Sequence, residues 1–140
     1  MSRENRLPDG HISVAENMWA PITTGSTIHS DGFDSCIPSV VYVNHLPFVP
    51  TPYFIHMTGS DTYNNFKNRI GIVTKACLFV GMGRHEYWNN SRILRAEQIS
   101  SRFAVRTHIQ QVHEFNSIQL ENSLMKFYLH GRLVDEAKII

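Results

Sequence analysis

No proline follows residue 52: Pro8, Pro21, Pro38, Pro47, Pro50 and Pro52 are all there are. Proline removes a backbone donor and fixes φ, so the first part of the chain is expected to hold loops, turns and short edge strands. Long helices and central strands are not expected there. Charge is scarce as well. Charged residues make up 18%, and thirteen Lys plus Arg against twelve Asp plus Glu leave a net charge of +1. That is far from the basic balance that phosphate backbones demand, so no nucleic-acid partner is implied. No apolar run approaches the ~20 residues that cross a bilayer, so no membrane span is expected. The first six residues, Met1–Arg6, lack the apolar core of a signal peptide, which predicts synthesis in a cytosol and, for a packaged protein, a place in a virion.

Cysteine is equally sparse. Cys36 and Cys77 lie far apart in different kinds of segment, giving neither a disulfide framework nor a paired metal motif, and both are expected to be buried free thiols. Cys77 sits in the apolar run Ala76–Val80 as a packing residue. Tight zinc signatures such as His-Glu-x-x-His are missing too.

What is present is enough apolar surface for one core: 140 residues, 42% of them hydrophobic. Ser39–Val43 and Tyr53–Met57 are short β-branched and aromatic runs, the first left through Asn44-His45-Leu46-Pro47 and the second closed by a turn at Thr58–Asp61. Ile70–Val80 reads as a strand covered on both faces. Gly81–Glu86 and Asn89–Ser91 read as an exposed loop or hairpin connection. Ser91–Phe115 fits strands with a bulge near Gln110-Gln111 better than one helix, although helical spacing is also present. Met125, Phe127, Leu129 and Leu133 keep a period of two. The fold class is therefore mainly β, with α+β as the alternative: a small single-domain sandwich or barrel. Residues 1–35 form an extended, irregular N-terminal segment and residues 36–140 a β-rich core.

Eight histidines supply candidate bases and metal ligands. His29, Cys36, His45 and His56 each stand beside a turn signal, so they can converge as four soft or borderline ligands of a tetrahedral structural metal, zinc or iron. Alternatively His29 and His45 are exposed turn residues, Cys36 a small packing residue and His56 a polar strand position. Cys36 with His45 and Asp34 makes a nucleophilic set on paper, but its spacing carries no specific warrant. Gly81–Arg84 lacks the third glycine and the following helix of a dinucleotide loop. His108 and His113 fall on opposite faces of a regular strand and read as solvent-facing. Trp19, Tyr87 and Trp88 sit among polar residues, as interface anchors or as half-buried packing.

Ile28-His29-Ser30-Asp31-Gly32 followed by Ser39-Val40-Val41-Tyr42-Val43-Asn44-His45-Leu46-Pro47 resembles a fragment of PAAR-repeat proteins, the cones at the tips of phage tail and secretion-system spikes. The family's Asn-Gly turn is Asn44-His45 here, and the pair after its proline is Phe48-Val49. What the resemblance implies is a structural metal held by histidines and a cysteine. The function expected first is thus a structural or assembly subunit of a phage tail or injection-type particle, acting through protein partners as a homo-oligomer or larger assembly. A small enzyme or ligand-binding barrel using His56, His85, His108 or His113 as acid or base is the alternative, and a host-directed inhibitor a third.

Overall fold

The computed structural model describes residues 4–6, 10–45, 49–103 and 107–139. The chain runs β1 (Glu4–Arg6), β2 (His11–Val14), β3 (Trp19–Pro21), β4 (Thr27–Asp31), β5 (Ile37–His45), β6 (Val49–Met57), α1 (Ser60–Arg69), β7 (Val73–Met82), α2 (Glu86–Ser100), β8 (Thr107–His113), β9 (Ser117–Glu121), β10 (Leu124–Leu129) and β11 (Arg132–Lys138). The protein is mainly β, as expected. Its strands form two mixed sheets, ordered β1-β2-β4-β9-β10-β11 and β3-β6-β5-β7-β8, and neither closes into a barrel.

Alternation along the central strands divides the interior in two. In β5, Val40 faces the six-stranded sheet while Val41 and Val43 face the helices; in β6, Phe54 and Ile55 divide likewise; in β7, Phe79 points one way and Leu78 and Val80 the other. One core therefore lies between the sheets, where Phe79 and Phe127 pack with ring centroids 5.5 Å apart. The other lies between the five-stranded sheet and the helices, through Tyr63 and Phe66 of α1 and Ala96 and Ile99 of α2. The expected strand over Ile70–Val80 is β7, covered on both faces, though it begins at Val73.

The helices depart from the sequence expectations. The turn at Thr58–Asp61 opens into α1, with Asp61 in the first turn and Lys67 and Arg69 in the last, matching the helix dipole. Asn89–Ser91 is not a loop, and Ser91–Ser100 is not strand. Both belong to α2, the connection that lets β7 and β8 pair in parallel. The exposed Tyr87, Trp88 and Leu94 interrupt its polar face and conceal the apolar stripe. Val105, on which the alternation partly relied, lies outside the described residues.

Proline also behaves differently from expectation. Pro38 lies inside β5, and Pro50 and Pro52 inside β6, both interior strands of their sheet. β3 pairs with β6 only over Tyr53–Ile55, so the segment carrying Pro50 and Pro52 has a ladder partner on one side alone among the described strands and needs fewer amide donors. The described part of residues 1–35 carries four short strands and buries Ile12, Val14, Trp19, Ala20 and Ile28. Trp19 is accordingly a core residue, set edge-on against Phe66. The period of two near the C-terminus belongs to a hairpin turning at His130-Gly131, both at positive φ.

Candidate active site

The hairpin register determines which side chains meet at one end of the inter-sheet core. Pro38 pairs directly with His56, and Cys36 precedes it by two residues, on the face shared by Val40 and Tyr42. His56 shares the face of Phe54. The thiol, one residue before β5, and the imidazole on β6 are thus turned into the same space. Glu16, from the turn between β2 and β3, reaches the same place. Its carboxylate, the Cys36 sulfur and a His56 ring nitrogen all lie within 4.8 Å of one another.

The His56 ring is held on two sides. Phe33 stacks on it with centroids 4.1 Å apart and planes 18° from parallel. Ser30, across on β4, holds Nδ1 at 2.8 Å and fixes which nitrogen carries the proton. The Ser30 hydroxyl has a single proton, and it goes to the Val14 carbonyl at 2.7 Å. Its oxygen must then accept from His56, so Nδ1 is protonated and Nε2 carries the lone pair. Nε2 is fully buried and has no hydrogen-bond partner among the described residues. A polar atom buried without a partner costs about 1–3 kcal/mol, a cost that recurs at sites of function.

Burial pushes the His56 imidazole from 6.5 down to about 4, with Asp31 acting the other way. Burial, then the Glu16 carboxylate, pushes the Cys36 thiol above its ordinary 9.0, while Arg95 and a hydrogen bond with Ser35 pull it down. The resting pair is therefore neutral thiol and neutral imidazole. Each shift reflects the cost of one lone charge in that place. Moving the proton from sulfur to the imidazole creates two opposite charges together, and their attraction, roughly 3–4 kcal/mol at 4.8 Å and an effective dielectric constant near 20, offsets part of both costs.

The crevice beyond the thiol is lined by Phe33, Ser35, Phe115 and, from α2, Arg92 and Arg95. Its free volume of about 10 Å³ admits at most one water. Arg95 Nη1 donates to the Thr58 carbonyl at 3.1 Å, tying α2 to the end of β6.

Of the four residues named from sequence as metal ligands, Cys36 and His56 come together. His29 stands on the opposite face of β4 from Ser30, its Nε2 2.6 Å from His11 Nδ1 and the two rings stacked. Burial, then His11, lowers its pKa, and Glu121 raises it. The backbone of His45 pairs with Val49 at the far end of the β5–β6 hairpin, seven residues or roughly 20 Å along from Pro38. Its side chain lies outside the described part of the structure. His108 and His113 are exposed on β8. A helix does follow Gly81–Arg84, but a Cβ at Gly83 would lie 2.0 Å from a Glu114 carboxylate oxygen, so an acid stands where a phosphate would. Sequence reasoning passed over Glu16 and Ser30. Ser30 was findable as the inward neighbour of His29 on a strand, whereas Glu16 sits in a turn with no periodic signal.

No family model matches the chain, and a search of curated proteins finds no match.

Proposed function

We propose that the protein is a thiol-dependent acyl-transfer enzyme in which Cys36 is the nucleophile, His56 the general base and Ser30 the group that orients the base. The observation that carries this is the placement of the His56 ring, one nitrogen of which lies within 4.8 Å of the Cys36 sulfur, while Nδ1 is held by Ser30 and Nε2 is buried without a hydrogen-bond partner among the described residues. Nucleophile, base and orienter in series are the arrangement that nucleophilic catalysis requires.

In the first half-reaction, Nε2 takes the thiol proton as sulfur attacks a substrate carbonyl carbon. The carbonyl π electrons move to oxygen, giving a tetrahedral oxyanion. The oxyanion collapses, the bond to the leaving amine or alcohol breaks, and the imidazolium returns the proton to that group. A thioester on Cys36 remains. Water then attacks it with Nε2 as base, releasing the carboxylic acid and restoring the thiol.

The test is a purified sample exposed to an activated acyl ester. A thioester located on Cys36 by peptide mass spectrometry, lost in Cys36→Ser, supports the proposal. Acylation absent from Cys36, or confined to Cys77, contradicts it.

A second proposal, the assembly subunit, draws support from Tyr87 and Trp88, which are 74% and 55% exposed on α2 with ring centroids 5.1 Å apart. Light scattering separates the two. A discrete oligomer that dissociates on Trp88→Ala, together with an inert Cys36, favours assembly.

A further inference from the structure

We propose that Glu16, Cys36 and His56 also form a zinc site: one Zn²⁺ bound by a Glu16 carboxylate oxygen, the Cys36 sulfur and His56 Nε2, with water in the fourth position. Binding stands on the donor geometry alone; its consequence, that zinc silences the nucleophile, rests on the catalytic proposal above.

Three different donors come from three segments of chain and lie within 4.8 Å of one another. Ligands about 2.0–2.3 Å from a tetrahedral zinc sit roughly 3.3–3.6 Å apart, so closing the site takes about 1 Å of side-chain movement. Glu16 is exposed and free to supply that movement, while β6 holds His56 in register opposite Pro38 and Cys36 sits one residue before β5. The imidazole needs no change of tautomer. Its lone pair is already on Nε2, and the Nδ1 proton donated to Ser30 is the outer contact that fixes a metal-binding imidazole in orientation and tautomer.

The donor set selects the ion. Mg²⁺ and Ca²⁺ call for six or more oxygens and meet one carboxylate here, whereas nitrogen, sulfur and oxygen together suit zinc. Charge closes as well. Binding releases the thiol proton to solvent, and the thiolate and carboxylate then balance Zn²⁺, leaving a neutral group at the half-buried end of the core. With both its lone pair and the sulfur committed to the ion, neither His56 nor Cys36 can take part in attack on a carbonyl.

The test uses the reduced, chelator-treated full chain, titrated with Zn²⁺ and, as a spectroscopic stand-in, Co²⁺. Iodoacetamide labelling of Cys36 is followed by peptide mass spectrometry. The expected result is one equivalent of Zn²⁺ bound, labelling of Cys36 slowed about tenfold or more with Cys77 unaffected, and a sulfur-to-cobalt charge-transfer band that disappears in Cys36→Ser. Glu16→Gln, an exposed and conservative change, weakens binding about tenfold. Zinc that leaves Cys36 labelling unchanged, or binds wild type, Cys36→Ser and Glu16→Gln equally, overturns the site. If zinc gives no protection while Cys36 still forms a thioester, the metal site fails and the catalytic proposal stands. If zinc protects but no thioester forms, the metal site stands and the catalytic proposal falls.

Discussion

The backbone N–H of Asn17 donates to the His56 carbonyl at 3.0 Å, and the N–H of His56 returns a bond to Met18 at the same distance, so the turn that carries Glu16 is joined to the strand that carries the imidazole. Asn17 holds a left-handed backbone, φ 65, and its Oδ1 accepts from the hydroxyls of Thr58 and of Thr62, the latter at 2.7 Å. Asn17→Ala pays for the left-handed conformation and loses the side-chain bonds, an expected loss of about 2–3 kcal/mol in urea unfolding. Asn17→Gly keeps the conformation and should recover about 1 kcal/mol of it. Equal losses for alanine and glycine would show that the backbone geometry carries no weight.

Stability should fall with acid in a window set by His56. Its folded pKa of about 4 lies below the unfolded 6.5, so between those values the unfolded chain binds the extra proton. Folding is therefore fully favoured above pH 6.5 and loses on the order of 3 kcal/mol as pH drops to about 4. The depressed His29 acts in the same direction. Urea midpoints measured from pH 7.5 to 4.5 check this, and His56→Gln should flatten the slope. An unchanged slope in that variant excludes His56 as its source.

Glu16 and Arg95 should act on the thiol with opposite signs. Glu16 raises the Cys36 pKa and Arg95 lowers it. Iodoacetamide labelling of Cys36 in the absence of metal should speed up about twofold to fivefold in Glu16→Gln and slow by a similar factor in Arg95→Met, both effects shrinking in high salt. Changes of the same sign in both variants would contradict the electrostatic account.

Aromatics of similar size should differ widely in their contribution to stability. Phe79 is buried between the sheets against Phe127, and Phe79→Ala should cost about 3–5 kcal/mol. Tyr87→Ala, on the exposed face of α2, should stay within about 0.5 kcal/mol. Calorimetric midpoints distinguish the two, and a large loss for Tyr87→Ala would mean that α2 packs by another face.

How much of this was legible depended on periodicity. β5, β6, β7 and the C-terminal hairpin announce themselves because β-branched and aromatic residues alternate or run together there, and the mainly β class follows from them. α2 did not, since Tyr87, Trp88 and Leu94 face water and only Ala96 and Ile99 are fully buried among its residues, leaving too thin a stripe to outweigh a strand pattern. α1 hid behind turn chemistry at Gly59-Ser60-Asp61, which starts helices as readily as it ends strands. Cys36 and His56 were both visible as chemistry, but their partnership depends on a hairpin register, Pro38 opposite His56, that strand patterns alone leave open. His29 and His45 were drawn in by type and by nearby turns. Strand alternation turns His29 to the other face, and hairpin length carries His45 to the other end.

The most direct test of the central claim is the rate at which a chromogenic acyl ester transfers its acyl group to Cys36 at pH 7.5, compared among wild type, Ser30→Ala and His56→Gln. Cys36 should react ahead of Cys77, whose thiol burial pushes up to about 11. The rate should drop about a hundredfold in His56→Gln and by an intermediate factor in Ser30→Ala, where the ring stays but its tautomer is no longer held. A Cys36 that acylates as fast without the imidazole as with it is not part of a nucleophile–base pair.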